Sequence, residues 1–114
     1  MGVELTLYFD VDKHINSKID YIYCFNKLSF DRDKKLFNSI KKDCIAHPVL
    51  KSFKFETYKG LEMTQIDHYG ALLTYVNVGS FKKISQKGLS KWNKAIFRLI
   101  DSLDDDFKIV LYYH

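Results

Sequence analysis

The chain has 114 residues, of which 46% are hydrophobic and 16% aromatic, with a net charge of +4. This length allows a single domain, and the apolar content excludes a disordered chain. No apolar stretch approaches the roughly 18 residues of a membrane-spanning helix, so we expect no membrane contact and a cytoplasmic location. Two cysteines, Cys24 and Cys44, are too few for a disulfide framework.

The N-terminal half begins with two strands. Apolar and polar residues alternate from Val3 to Val11 and again from Ile19 to Phe25, which predicts a hairpin of two strands. Asp31 then predicts the cap of a helix over about residues 32–46, which must end before Pro48. The apolar residues of this helix recur at helical spacing and predict its inner stripe: Leu36, Phe37, Ile40, Cys44 and Ile45.

The C-terminal half predicts further strands and a second helix. Strands are expected from Val49 to Tyr58, over residues 61–66 and from Ala71 to Val78. Ser90 predicts the cap of a helix over about residues 91–103, and an alternating strand covers Phe107 to His114. The inner stripe of this second helix is predicted from three- and four-residue steps: Leu89, Trp92, Ile96, Leu99, Ile100 and Leu103.

The predicted order is β-β-α-β-(β)-β-α-β over a single α+β domain, residues 1–114. The simplest arrangement is one mostly antiparallel sheet with two helices packed on one face, a ferredoxin-like core with an extra N-terminal strand. The terminal strand, Phe107 to His114, is a candidate sheet edge and offers homodimerisation as an alternative mode of association.

Charge is unevenly distributed along the chain. The net charge is +1 over residues 1–68, +6 over residues 69–100 and −3 over residues 101–114. Such segregation usually concerns what a protein contacts. The basic segment contains no acidic residue, and its charged members are Lys82, Lys83, Lys87, Lys91, Lys94 and Arg98. The following segment supplies a second, acidic candidate for partner binding: Asp101, Asp104, Asp105 and Asp106.

The sequence Phe9-Asp10-Val11-Asp12 ends an apolar strand. It resembles the nucleophile motif of haloacid-dehalogenase-type phosphatases, and the resemblance implies that Asp10 attacks phosphate and Asp12 protonates the leaving group. The resemblance is confined to residues 5–12, and His14 stands where that family usually has a small hydroxylated residue. We therefore expect no enzyme, and phosphatase activity is the third hypothesis.

Three residues near this motif are also candidate metal ligands. Asp10, Asp12 and His14 would share one face if their strand continued, but no second cluster completes a ligand shell. The four histidines lie in separate segments, and no serine or cysteine occurs in a recognisable nucleophile motif. We expect neither a metal nor another cofactor.

These observations favour a non-catalytic binding protein that acts as a stoichiometric inhibitor of a protein partner, of the toxin-immunity or phage anti-defence type. Such a protein needs shape and charge complementarity rather than a motif. The alternative is a domain that binds RNA or single-stranded nucleic acid through the basic residues 82–98. The preponderance of lysine, sixteen residues against two arginines, argues against sequence-specific recognition of nucleic acid.

Overall fold

The computed structural model describes residues 2–9, 21–23, 26–57 and 60–114. Eight strands and three helices lie in these ranges. The strands are β1 (Leu5–Tyr8), β2 (Tyr21–Tyr23), β3 (Lys27–Ser29), β4 (His47–Pro48), β5 (Ser52–Thr57), β6 (Gly60–Thr64), β7 (Thr74–Asn77) and β8 (Lys108–Tyr113). The helices are α1 (Lys34–Asp43), α2 (Val78–Phe81) and α3 (Lys91–Asp101).

The strands form two sheets, and the α+β class predicted from the sequence is confirmed. Five strands make an antiparallel sheet in the order β3-β1-β8-β7-β4. Three more make a smaller sheet in the order β2-β5-β6, in which β2 runs parallel to β5. The prediction of a single sheet is therefore wrong, and the ferredoxin-like strand order is not confirmed.

The second sheet exists because the large sheet is apolar on both faces. On one face, Leu5 and Leu7 of β1 and Ile109 of β8 pack against the helices. On the other face, Tyr8 and Val110 are buried against the small sheet, where Phe53 of β5 packs on them. The rings of Tyr8 and Phe53 meet edge to face with 5.1 Å between centroids. Helices, large sheet and small sheet thus form three layers.

The predicted pairing of the first two strands is also wrong. Strand β1 pairs with β3, with Thr6 opposite Ser29, while β2 pairs with β5 in the other sheet. The predicted strand from Val49 to Tyr58 contains β5, which belongs to the small sheet, whereas the two-residue strand β4 precedes it and pairs with β7 in the large sheet.

The C-terminal strand β8 lies in the centre of the large sheet, between β1 and β7. The sequence offered it as a candidate edge strand, which could pair with a second copy of the chain. Both of its edges are instead occupied by antiparallel neighbours, so a homodimer cannot form by strand addition to β8.

The two long helices begin at capped positions. The predicted cap at Ser90 is confirmed, since its hydroxyl accepts a hydrogen bond from the backbone N–H of Asn93. The cap of α1 is Asp33, whose carboxylate accepts from the N–H of Leu36, and the prediction of Asp31 is wrong. The inner face of α1 is as predicted except for Ile45, which follows the helix and is 65% exposed.

Candidate binding surface

The six basic residues predicted as a binding site fall into two groups. Lys82 and Lys83 follow α2 and Lys87 lies in the connection to α3, whereas the other three lie on α3 itself: Lys91, Lys94 and Arg98. All six are exposed or partly exposed. The structure therefore brings three of the predicted charges onto one helix and leaves the other three in the segment before it.

Lys82 contributes little free charge to this surface. Its ammonium group donates to the Asp105 carboxylate at 2.7 Å and to the backbone carbonyl of Leu103 at 2.9 Å. These contacts join the end of α2 to the turn between α3 and β8. One predicted basic site residue and one predicted acidic site residue thus neutralise each other within the molecule.

The three basic residues of α3 form a row on its solvent side. Lys91, Lys94 and Arg98 are separated by three and four residues, which places them on one helical face over about 10 Å of helix axis. Within the described ranges of the chain, no carboxylate makes a salt bridge with any of them. Their charge is available to a partner.

An apolar row lies beside the basic row. Trp92 is 48% exposed and Leu99 is 41% exposed, and Ala95 lies exposed between them on the same face. The sequence predicted Trp92 and Leu99 on the inner stripe, and this was wrong. The buried face of α3 contains the predicted Ile96 and Ile100, together with Asn93 and Phe97, which the stripe did not include. We define the α3 surface as the basic and apolar rows together: Lys91, Trp92, Lys94, Ala95, Arg98 and Leu99.

Hydrogen bonds fix the N-terminal part of the α3 surface against β3 and the segment after it. The indole N–H of Trp92 donates to the carbonyl of Ser29 at 2.7 Å. The buried side chain of Asn93 accepts from the N–H of Asp31 at 2.7 Å and donates to the Asp31 carbonyl at 3.1 Å. Ser90 donates its hydroxyl hydrogen to the Asp31 carboxylate. Asp31 is therefore a support for α3 and not the cap of α1.

The apolar row continues into a hollow next to β3. This hollow has a volume of about 390 Å³, and its apolar lining includes Leu28 of β3, Leu99 of α3 and Phe107. Lys27 and Asn26 lie at its margin. A partner side chain that packs against Leu99 could therefore enter a concavity rather than rest on a flat helix.

The four acidic candidates lie around the turn from α3 to β8. Asp105 holds Lys82, and Asp101 accepts a hydrogen bond from the side-chain amide of Gln86 at 3.3 Å. Asp104 accepts from the N–H of Phe107 through its backbone carbonyl, which closes the turn. Asp104 and Asp106 are exposed. The carboxylates of Asp101 and Asp105 are thus engaged within the molecule, whereas Asp104 contributes to the turn through its backbone alone.

A polar chain that the sequence did not predict joins β1, β3 and the C-terminal residue. The hydroxyl of Thr6 lies 2.7 Å from both the Ser29 hydroxyl and Nε2 of His114. Nδ1 of His114 lies 3.5 Å from the Glu4 carboxylate. Burial lowers the pKa of His114, and the opposing attraction of Glu4 is the smaller effect. Because Thr6 is only 4% exposed, this series of polar contacts is placed to hold β1, β3 and the C-terminal residue together.

The structure describes only some of the other residues that the sequence suggested as candidates. Asp10, Asp12 and His14 lie outside the described residues, so the phosphatase and metal interpretations stay untested there. In the described part of the chain, no group of three potential ligands is placed to hold a metal ion. No helix among the described residues is long and apolar enough to cross a membrane. Cys44 is a buried free thiol, and burial raises its pKa to about 11.

Comparison of the chain with protein-family models, with curated proteins and with solved structures found no match.

Proposed function

We propose that the protein is a non-catalytic binding protein that occupies the surface of a protein partner and inhibits it stoichiometrically. Toxin-immunity and phage anti-defence proteins act in this way, and the cytoplasm is the compartment we propose. The observation that supports this function is the α3 surface, where an exposed apolar row adjoins basic groups that pair with no carboxylate of the described residues.

The composition of the α3 surface is suited to a protein interface. Tryptophan and arginine are enriched among the residues whose truncation costs most binding energy, and Trp92 and Arg98 lie on the same helix. The helix is eleven residues long, so it spans about 16 Å, and the hollow beside Leu99 extends the contact area. A specific interface buries about 800 Å² on each partner, so the contact must also include neighbouring residues.

The charge of the surface indicates the chemistry of the partner. Lys91, Lys94 and Arg98 are best met by carboxylates, and Trp92 and Leu99 by apolar side chains. The proposed partner therefore presents an apolar residue surrounded by acidic groups. Complementary charge raises the association rate and selects the partner, while the desolvated apolar contact supplies most of the affinity.

The helix that carries the surface, and the side chain of Trp92, are held in place in the free protein. The bonds from Trp92 to Ser29 and from Asn93 to Asp31 fix the position of the helix relative to β3. Side chains that are held in place in the free protein lose less entropy on binding. This preorganisation favours recognition of a folded partner.

The proposal is tested by capture from native cells with a matched set of variants. The tagged wild type is compared with the double variant Trp92→Ala, Lys94→Glu and with a control, Lys34→Glu, Lys35→Glu, which reverses two exposed charges on α1. Half of each lysate is treated with nuclease. We expect one protein in near-equal amounts with the wild type and the control, resistant to nuclease, and its loss with the α3 variant.

Two results would contradict the proposal. A partner retained by the α3 variant would place the interface elsewhere. If the captured material is lost on nuclease treatment, the result would favour the nucleic-acid alternative. Affinity would then fall by about 0.7–0.9 log units per log unit of salt for each phosphate neutralised.

A further inference from the structure

A second concavity, which shares no residue with the α3 surface, lies beside the C-terminal part of α1. It has a volume of about 410 Å³, within the range of small-molecule sites. Residues from five separate segments converge on it: the N-terminal residues, α1, the loop before β7, β7 and β8. We call it the α1–β8 hollow, and the residues that matter to its chemistry are Val3, Lys41, Asp67, Tyr69, Leu72 and Tyr113.

Hydrogen bonds hold the loop wall of this hollow in place. The Asp67 carboxylate accepts hydrogen bonds from the N–H groups of Tyr69 at 2.8 Å and Ala71 at 3.1 Å. The backbone of Asp67 also donates to the carbonyl of Ala71, and His68 donates to the carbonyl of Tyr113 in β8. The concavity is therefore formed before any ligand arrives, and an Asp67 oxygen is already engaged with the loop backbone.

The walls are apolar although they face solvent. Tyr69 is 57% exposed and Leu72 is 63% exposed, and both line the hollow together with Val3. Exposed apolar groups that converge on one concavity are typical of ligand sites, whereas single exposed apolar residues are ordinary.

Two charged residues line the hollow: Lys41, which is basic, and Asp67, whose carboxylate already accepts hydrogen bonds from the loop backbone. The ammonium nitrogen of Lys41 lies 4.6 Å from the ring centroid of Tyr113. In the described part of the chain, no carboxylate makes a salt bridge with it. Charge interactions are stronger in a less polar setting than at the open surface. An anionic group bound in the hollow would therefore gain a direct partner in the ammonium group of Lys41.

We propose that the α1–β8 hollow binds a small amphipathic anion, a molecule with an aromatic or branched aliphatic body and one carboxylate or sulfonate group. The body packs against Val3, Tyr69 and Leu72, and the anionic group meets the ammonium of Lys41. This site is independent of the proposed inhibitor function.

The probe for the test is 8-anilinonaphthalene-1-sulfonate, an aromatic anion whose fluorescence rises in apolar sites. An uncharged analogue, N-phenyl-1-naphthylamine, reports the apolar contribution alone. The wild type is expected to bind one equivalent of the anionic dye in a saturable titration. Lys41→Glu should weaken the anionic dye about tenfold or more and leave the uncharged analogue unchanged, since about 1.4 kcal/mol corresponds to that factor. Leu72→Glu, at an exposed position, should weaken both dyes.

Two controls separate this hollow from the α3 surface. Lys91→Glu reverses a comparable exposed charge on α3, and Trp92→Ala removes the apolar group there; neither should change binding of the dye. Amide chemical shifts of residues 67–72 should move on titration. The proposal is overturned if no saturable site is found, if Lys91→Glu acts as strongly as Lys41→Glu, or if Trp92→Ala abolishes the signal.

Discussion

Replacing Tyr113 with phenylalanine should stabilise the protein. The hydroxyl of Tyr113 is buried, and no hydrogen-bond partner is placed for it among the described residues. Burial also raises the pKa of Tyr113 to about 12, with smaller contributions from Cys44 and Asp67. A buried hydroxyl without a partner costs about 1–3 kcal/mol of desolvation, and phenylalanine removes that cost while it keeps the ring.

The free energy of unfolding should therefore rise by about 1–2 kcal/mol, or by about 4 °C or more in Tm. Urea unfolding measures the change, and an unchanged m-value shows that the same surface is exposed on unfolding. Tyr69→Phe is the control, because Tyr69 is 57% exposed. Loss of its hydroxyl should change the free energy of unfolding by less than about 0.5 kcal/mol. A loss of stability in Tyr113→Phe would show that the hydroxyl is hydrogen-bonded and would refute the reasoning.

Three further outcomes follow from the contacts. Asn93→Ala removes both amide contacts to Asp31 and should cost about 2–3 kcal/mol in urea unfolding; a loss below about 0.5 kcal/mol would contradict this. Burial lowers the pKa of His114, so as the pH falls the unfolded state binds a proton at this side chain before the folded state does. The contribution of His114 to stability is therefore complete above about pH 6.5 and is lost as the pH falls towards the folded pKa. His114→Gln should reduce that fall, and identical pH profiles would refute it. Lys82→Ala breaks an exposed salt bridge to Asp105, so it should cost less than about 1 kcal/mol and leave partner capture unchanged; loss of the partner would show that Lys82 belongs to the interface.

Local patterns predicted the two long helices well, but not the short helix α2, whose first residue, Val78, was assigned to a strand. The spacing of Leu36, Phe37 and Ile40 located the buried face of α1, and Ser90 marked the start of α3. The choice of Asp31 as a cap failed because two aspartates lie close together. Their roles depend on Ser90 and Asn93, about 60 residues away in the sequence, and no local signal reports that contact.

Strand pairing could not be predicted to the same degree. Alternation correctly identified β1, β5 and β8 as strands, but a strand carries no record of its neighbours. That β8 lies between β1 and β7 is decided by long-range packing. The two-sided burial of β1 did contain a clue, since Tyr8 faces away from the helices and requires a second layer.

The candidate site was predicted in part. The charges of Lys91, Lys94 and Arg98 were identified from the sequence. The apolar half was missed, because a periodic residue at the margin of the buried arc reads as a core residue. Trp92 occupies such a margin: its indole N–H reaches the carbonyl of Ser29 while nearly half of the residue stays exposed. Only the position of β3 beside the helix shows that Trp92 is a partly exposed residue at the margin and not a core residue.

Calorimetric titration of the captured partner, purified and free of nucleic acid, against the wild type and Trp92→Ala would test the proposed role of the α3 surface. We expect one partner per chain with the wild type and about 30-fold weaker binding with Trp92→Ala, the loss typical of a residue worth about 2 kcal/mol at the centre of an interface. Leu99→Asp, at another exposed position of the same row, should weaken binding similarly. Circular dichroism should show that both variants remain folded. Wild-type affinity in both variants, with a folded chain, would contradict the account.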